Sequence, residues 1–242
     1  CTDITGAPIA GAIPTAETTI VLESPTTFNF PADSAVPYRA LRVEGNALEL
    51  AAAGDWRGLD LAALPAGLAL DLKGFGLKLN WNRTPTGALS IANSAAAAEL
   101  VLTVPKATGT ANGAATFTGA LALVKDGEGS FMWTTGKLAA DIPITVTNGV
   151  FRNGYTANNT ASKDVLGAGG TITVKGKGQF DLNYGAGGVA PTYNREFRLE
   201  GEGPDGEGAL VNFNSSTSVG NYLNQVKLTG DATLGGSTHL DF

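Results

Sequence analysis

From Tyr38 onward, apolar and polar residues alternate in short runs, each closed by Gly, Asn, Asp or Pro. A period of two sends successive side chains to opposite sides of an extended chain, so such a run reads as a strand with one side turned to a core. The runs predict strands over Leu41–Val43, Ala47–Leu50, Leu68–Leu72, Leu77–Trp81, Leu100–Val104, Leu121–Val124, Ser130–Trp133, Ile144–Val146, Thr171–Val174, Gln179–Tyr184, Phe197–Glu200 and Val226–Leu228. Only Asp55–Leu64 and Ala92–Leu100 hold enough Ala or Leu for a helix; both are short, and at most one is expected to be helical. The inward set predicted from the alternation is Leu70, Leu72, Leu77, Leu79, Leu100, Leu102, Leu121, Leu123, Ile144, Val146, Ile172, Val174, Phe180, Leu182, Leu199, Val226 and Leu228.

The first 37 residues behave differently. Pro8, Pro14, Pro25 and Pro31 would interrupt any helix or central strand. Residues 1–37 are therefore an extended lead-in, a cap or an edge strand, with Thr19–Leu22 the best piece for pairing, and residues 38–242 form the repeat-bearing domain.

Glycine pairs punctuate that domain. KGFGLKLNW (Lys73–Trp81), KDGEGSFMW (Lys125–Trp133) and KGKGQFDLNY (Lys175–Tyr184) each place Lys and Gly-x-Gly ahead of a strand that ends in an aromatic, and LEGEGPDGEGALVN (Leu199–Asn212) is a looser copy. The pairs start at Gly74, Gly127 and Gly176, giving intervals of 127 − 74 = 53 and 176 − 127 = 49 residues. The residue between the glycines changes from Phe75 to Glu128, Lys177 and Glu202. Chemistry would demand one residue type there, whereas a chain that must turn with positive φ demands only the glycines. Lys125, Asp126 and Glu128 thus read as a corner. A dinucleotide cradle is disfavoured, because strands and not helices follow the glycines.

The pieces LVKDGEGSFMW (Leu123–Trp133), PITVTNGVF (Pro143–Phe151), LEGEGPDGEGALVN and KLTGDATLGGSTHLDF (Lys227–Phe242) resemble the strand repeats of bacterial autotransporter passengers and related secreted, repeat-rich β-helix proteins. The resemblance covers residues 38–242 and implies an all-β right-handed parallel β-helix, secreted or on the bacterial cell surface. It carries no translocator barrel, and residues 241–242 look like the middle of a repeat, so a fragment of a longer chain is expected. Coils that stack with Gly or Asn at their corners make physical sense of the same pattern. The rival fold is an antiparallel β-sandwich, which the alternation and turn spacing also allow.

Charge and composition narrow the function. The chain has 242 residues, only 16 % of them charged, and a net charge of −6, without the clustered Lys and Arg that nucleic acid requires. No apolar run approaches the roughly 20 residues of a transmembrane helix. The single cysteine, Cys1, cannot form an internal disulfide, but it stands where a processed bacterial lipoprotein carries its lipid, which makes it a lipidation candidate. One Cys and one His (His239) are too few for zinc or iron, and a Ser-His-Asp set would have to be built around His239 in the last strand, so no metal, cofactor or catalytic residue is nominated. Asp126 with Glu128, and Asp205 with Glu207, put oxygens in glycine loops without the spacing of a calcium loop. Asp60, Asp71 and Asp181 lie on predicted strands as outward residues. Trp81, Trp133 and Tyr184 end equivalent strands of the three copies; in register they would form a row, either a sugar-stacking platform or part of the core. Asn82, Asn158 and Asn214 begin N-x-[ST] triplets.

The function expected is a noncatalytic extracellular or cell-surface scaffold of adhesin type, joined to other copies in an assembly. A glycan-binding or glycan-cleaving β-helix is the alternative, and a lipid-anchored module is a third. Partners are other protein copies or surface glycans, and assembly is expected through strand edges, with residues 2–35 capping the first coil or adding to a neighbour head to tail.

Overall fold

The computed structural model describes residues 19–22, 40–43, 47–50, 52–59, 61, 64, 66–82, 85, 87–108, 110–135, 141–154, 169–183, 192–213 and 222–237. Among them every strand pairing is parallel, and strands distant in sequence stack one above the next as a β-solenoid. The antiparallel sandwich is thereby excluded: a sandwich joins neighbours by hairpins, and the pairings here skip a whole coil.

The coils have three faces. On the first, β3 (Ala47–Glu49), β5 (Leu68–Asp71), the start of β7 (Leu89–Thr103) and the middle of β8 (Thr110–Asp126) set Leu48, Leu70, Ile91 and Phe117 in one column. On the second, β4 (Gly54–Trp56), β6 (Leu77–Asn80), the ends of β7 and β8, the starts of β10 (Ile144–Asn153) and β11 (Thr171–Asp181), β12 (Thr192–Gly201) and β14 (Tyr222–Ala232) set Gly54, Leu77, Leu100, Leu123, Ile144, Ile172, Phe197 and Val226 in another. On the third, the start of β8, β9 (Ser130–Thr135), the ends of β10 and β11, β13 (Leu210–Asn212) and β15 (Leu234–Gly236) align Ala111, Phe131, Phe151, Phe180, Leu210 and Leu234. A long strand such as β8 turns two corners and serves all three faces.

This register gives the coil its length. Along the second face the first steps are 77 − 54 = 23, 100 − 77 = 23 and 123 − 100 = 23 residues, and the next two are 144 − 123 = 21 and 172 − 144 = 28. The interval of 49 between Gly127 and Gly176 is thus two coils, 21 + 28. The interval of 53 is not a coil multiple. Gly74 follows the first face, where it precedes β6, whereas Gly127 and Gly176 lie at the corner between the second and third faces.

Inward columns are apolar and closely stacked, with coils ~4.8 Å apart. An aromatic spine runs through them: Trp81 meets Phe131 edge-on at 5.8 Å, Phe131 meets Phe151 at 5.4 Å, and Phe151 stacks nearly parallel on Phe180 at 5.5 Å. Each buried ring pair adds ~1 kcal/mol beyond the area it removes from water. Most of the inward set read from the sequence is buried, but Leu228 is 61 % exposed because it belongs to the last described coil, on which nothing among the described residues stacks. Asp55 and Trp56 end β4 and residues 92–100 lie inside β7, so the strand pattern prevails over the Ala content there. Thr19–Leu22 (β1) does pair, in parallel with Ala40–Val43 (β2), as a separate two-stranded sheet.

Candidate functional site

Three fully or nearly buried polar side chains sit where coils turn, and each is held by backbone. Lys125 occupies the inward column Trp56, Leu79, Leu102, Lys125, Val146, Val174, Leu199, and none of it is exposed. Its Nζ donates to Gly127 O of its own corner (2.7 Å) and to Asn148 O of the next coil's corner (2.8 Å). Burial pushes the amine down to about 7, with the Asp126 carboxylate opposing. The alternation Leu121, Leu123, Lys125 already carried the signal for an inward lysine; the sequence reading instead grouped it with its exposed neighbours.

Asn93, which sequence reasoning missed, does the same at the corner between the first and second faces. Its Oδ1 accepts from Gly74 N–H (2.8 Å) in the preceding coil, and its Nδ2 donates to Ala96 O (2.6 Å) and to Ala120 O (2.7 Å) in the following one. Arg195, 1 % exposed, donates from Nη1 to Ile142 O (2.6 Å), reaching past an intervening coil. Burial lowers its guanidinium to about 10, with Asp141 opposing, so it stays charged.

The turn that contains Lys125 is a corner in the geometric sense. Gly127 has φ +80, and a Cβ on Gly129 would lie 2.4 Å from Pro105 O, so the backbones of successive coils approach too closely for any side chain. Asp126 accepts from the Thr147 hydroxyl (3.2 Å), while Glu128 is exposed and lies 3.8 Å from the Lys106 amine.

The strand carboxylates are also engaged. Asp71 accepts from Ser94 N–H (3.0 Å), Ser94 Oγ (2.6 Å) and Lys73 N–H (3.1 Å); burial opposes ionisation, but these bonds outweigh it and hold the carboxyl at about 2. Asp181 is fully buried although it points away from the core, accepting from Arg152 Nε (2.8 Å) and from the backbone of Asn183 (2.9 Å). The expectation of an ordinary outward-facing residue is corrected there. Asp60 lies outside the described residues.

Two members of the expected aromatic row lie in the core. Trp81 and Trp133 are both completely buried, so no sugar can stack on either. They are not equivalent: Trp81 N–H bonds Thr103 O at the end of the second face, whereas Trp133 pairs with Asn153 on the third. One step beyond the pair Arg152–Asp181, Asn153 falls beside Leu182, so Leu182 continues the Trp133 column. Tyr184, Cys1, His239, Asn158 and Asn214 lie outside the described residues. Among the described residues, no group of three or more His, Cys, Asp or Glu is placed to hold a metal ion, and no helix is long and apolar enough to cross a membrane.

No family model, characterised protein or solved structure matches this chain. The likeness to autotransporter passengers therefore rests on the quoted motifs alone.

Proposed function

We propose that the chain is a noncatalytic scaffold, an adhesin-type β-solenoid module of the cell surface or extracellular space that works by extending and presenting its outer faces. The observation that supports this most is where the reactive groups are spent: the Lys125 amine, the Asn93 amide and the Asp71 and Asp181 carboxylates are all tied into strand or corner hydrogen bonds. The Asp71 carboxylate, held at about 2 by its bonds from Ser94 and the Lys73 backbone, is a poor general acid. The passenger-like motifs support the extracellular setting, and Cys1 would supply a lipid anchor, which mass spectrometry of the native N-terminus would reveal.

Glycan cleavage is the reading to test against. Incubation of the 242-residue chain with neutral, acidic and amino-sugar polysaccharides should release no reducing ends above buffer. Release that disappears in Asp71→Asn or Asp181→Asn, with thermal stability retained, would replace the scaffold reading with an enzyme.

A further inference from the structure

β1 and β2 form a sheet of their own, yet their spacing is that of the solenoid. They pair in parallel, Thr19 with Ala40, a step of 40 − 19 = 21 residues. Along the third face the first two steps are 131 − 111 = 20 and 151 − 131 = 20. Parallel neighbours need a crossover, and a step of that length is one turn of this solenoid. Three residues, 44–46, separate β2 from β3, just as three, 127–129, separate β8 from β9 across a corner. A link that short spans at most ~14 Å, so β2 ends within one face of the first coil, the coil of β3 and β4. The chain runs from third face to first to second, as β8 does, and that order puts β2 on the third face.

The register carried one coil further reaches buried leucines. Ile20 pairs with Leu41 and Leu22 with Val43, two apolar pairs at alternate positions with Val21 and Arg42 between them. Another 61 − 41 = 20 and 64 − 43 = 21 residues lead to Leu61 and Leu64, both buried. Leu64 N–H bonds Leu61 O (3.2 Å), so that coil turns there and offers β2 no strand, which leaves β1 and β2 paired only with each other among the described residues. The first coil is also covered from its far side. Among the described residues β3 pairs only with β5 and β4 only with β6, yet Leu48, Leu50 and Trp56 are 1–3 % exposed.

We propose that β2 completes the first coil on the third face and that β1 lies one coil beyond it, so that this part of the chain caps the stack at its β3–β4 end. The cap takes up apolar surface and a backbone edge that would otherwise be a template for a strand of another copy. Of the two roles expected for the lead-in, capping its own coil or adding to a neighbour, the spacing favours the first. The cap is independent of the scaffold reading: release of reducing ends would sink that reading and leave the cap in place, while a displaced strand pair would sink the cap without creating an enzyme.

Pulsed electron–electron distances in the 242-residue chain test it, with Cys1→Ser and spin labels on Met132→Cys and on either Arg42→Cys or Val21→Cys. β2 leads into the coil of Gly54 and β9, which holds Met132, into the coil of Ile144, four steps along the second face. The expected backbone separations are therefore ~19 Å from Arg42 and ~24 Å from Val21. A Val21 label no farther from Met132 than the Arg42 label, or an Arg42 distance more than twice the expected one, would overturn the proposal. Iodide quenching gives a second reading, because Trp56 alone of the three tryptophans lies in the first coil. Leu41→Asp should open Trp56 to iodide and leave Trp81 and Trp133 protected, whereas a folded Leu41→Asp chain with no added quenching would count against the cap. If that variant unfolds the whole chain, all three tryptophans open together and the label distances decide.

Discussion

Replacing Lys125 by Met separates the two things that lysine does. Met keeps most of the length and packing of the stem, but it leaves Gly127 O and Asn148 O without the ammonium donor. Each buried carbonyl that loses its partner costs ~1–3 kcal/mol, while removal of a buried charge returns a comparable amount, so the net change at neutral pH is small compared with either part. The pH dependence is not small. The amine titrates at about 7 in the folded chain against 10.5 when unfolded. Between those values the unfolded chain binds the extra proton, so stability rises with pH across the window; the cost of burying the ammonium is complete below about 7 and gone above about 10.5. From pH 7 to pH 9 the linkage amounts to about 2 kcal/mol, an upper figure because two carbonyl acceptors favour the charged amine. Denaturant unfolding of the wild type and Lys125→Met at several pH values reads it directly, since every other titrating group cancels in the difference. The wild type should gain on the variant by about 2 kcal/mol over that interval. Parallel curves would refute the account of Lys125 as a buried, charge-strained clamp.

Asn93→Leu removes donors and acceptors in three coils at once and should cost about 3 kcal/mol in chemical denaturation. Gly129→Val drives a side chain into Pro105 O and should unfold or destabilise the chain by more than about 2 kcal/mol, whereas Glu128→Ala beside it should stay within about 0.5 kcal/mol by thermal melting. Asp71 titrates at about 2, below its unfolded value of 3.8, so its stabilising share is complete above the unfolded value and is lost as pH falls through about 2; NMR titration of its carboxyl carbon should place the midpoint there. Trp56, Trp81 and Trp133 are each no more than 1 % exposed, so their fluorescence should resist quenching by iodide and remain unchanged by added polysaccharide.

The two-residue alternation made strands and their inward side legible, down to Leu121 and Leu123, and the change of residue between paired glycines marked corners and not chemistry. It did not disclose which strand lies on which. Parallel register is set by contacts about one coil away in sequence, and a glycine pair at one corner looks the same on the page as a pair at another. That is why Gly74 and Trp81 were placed in register with Gly127 and Trp133 although they lie at different corners. Asn93 was invisible for the same reason: its partners, Gly74 and Ala120, are 19 and 27 residues away and carry no side-chain signature. Leu228 was read as core because alternation reports which way a side chain points, not whether another coil covers it.

The parallel coil stack itself is tested most directly by pulsed electron–electron distances between spin labels on one outward column, after Cys1 is replaced by Ser. Lys78, Thr173 and Arg198 share that column, Thr173 four coils and Arg198 five coils from Lys78. The account predicts backbone separations of ~19 Å and ~24 Å, growing by ~4.8 Å for each coil crossed. An Arg198 label no farther from Lys78 than the Thr173 label would contradict the parallel stack.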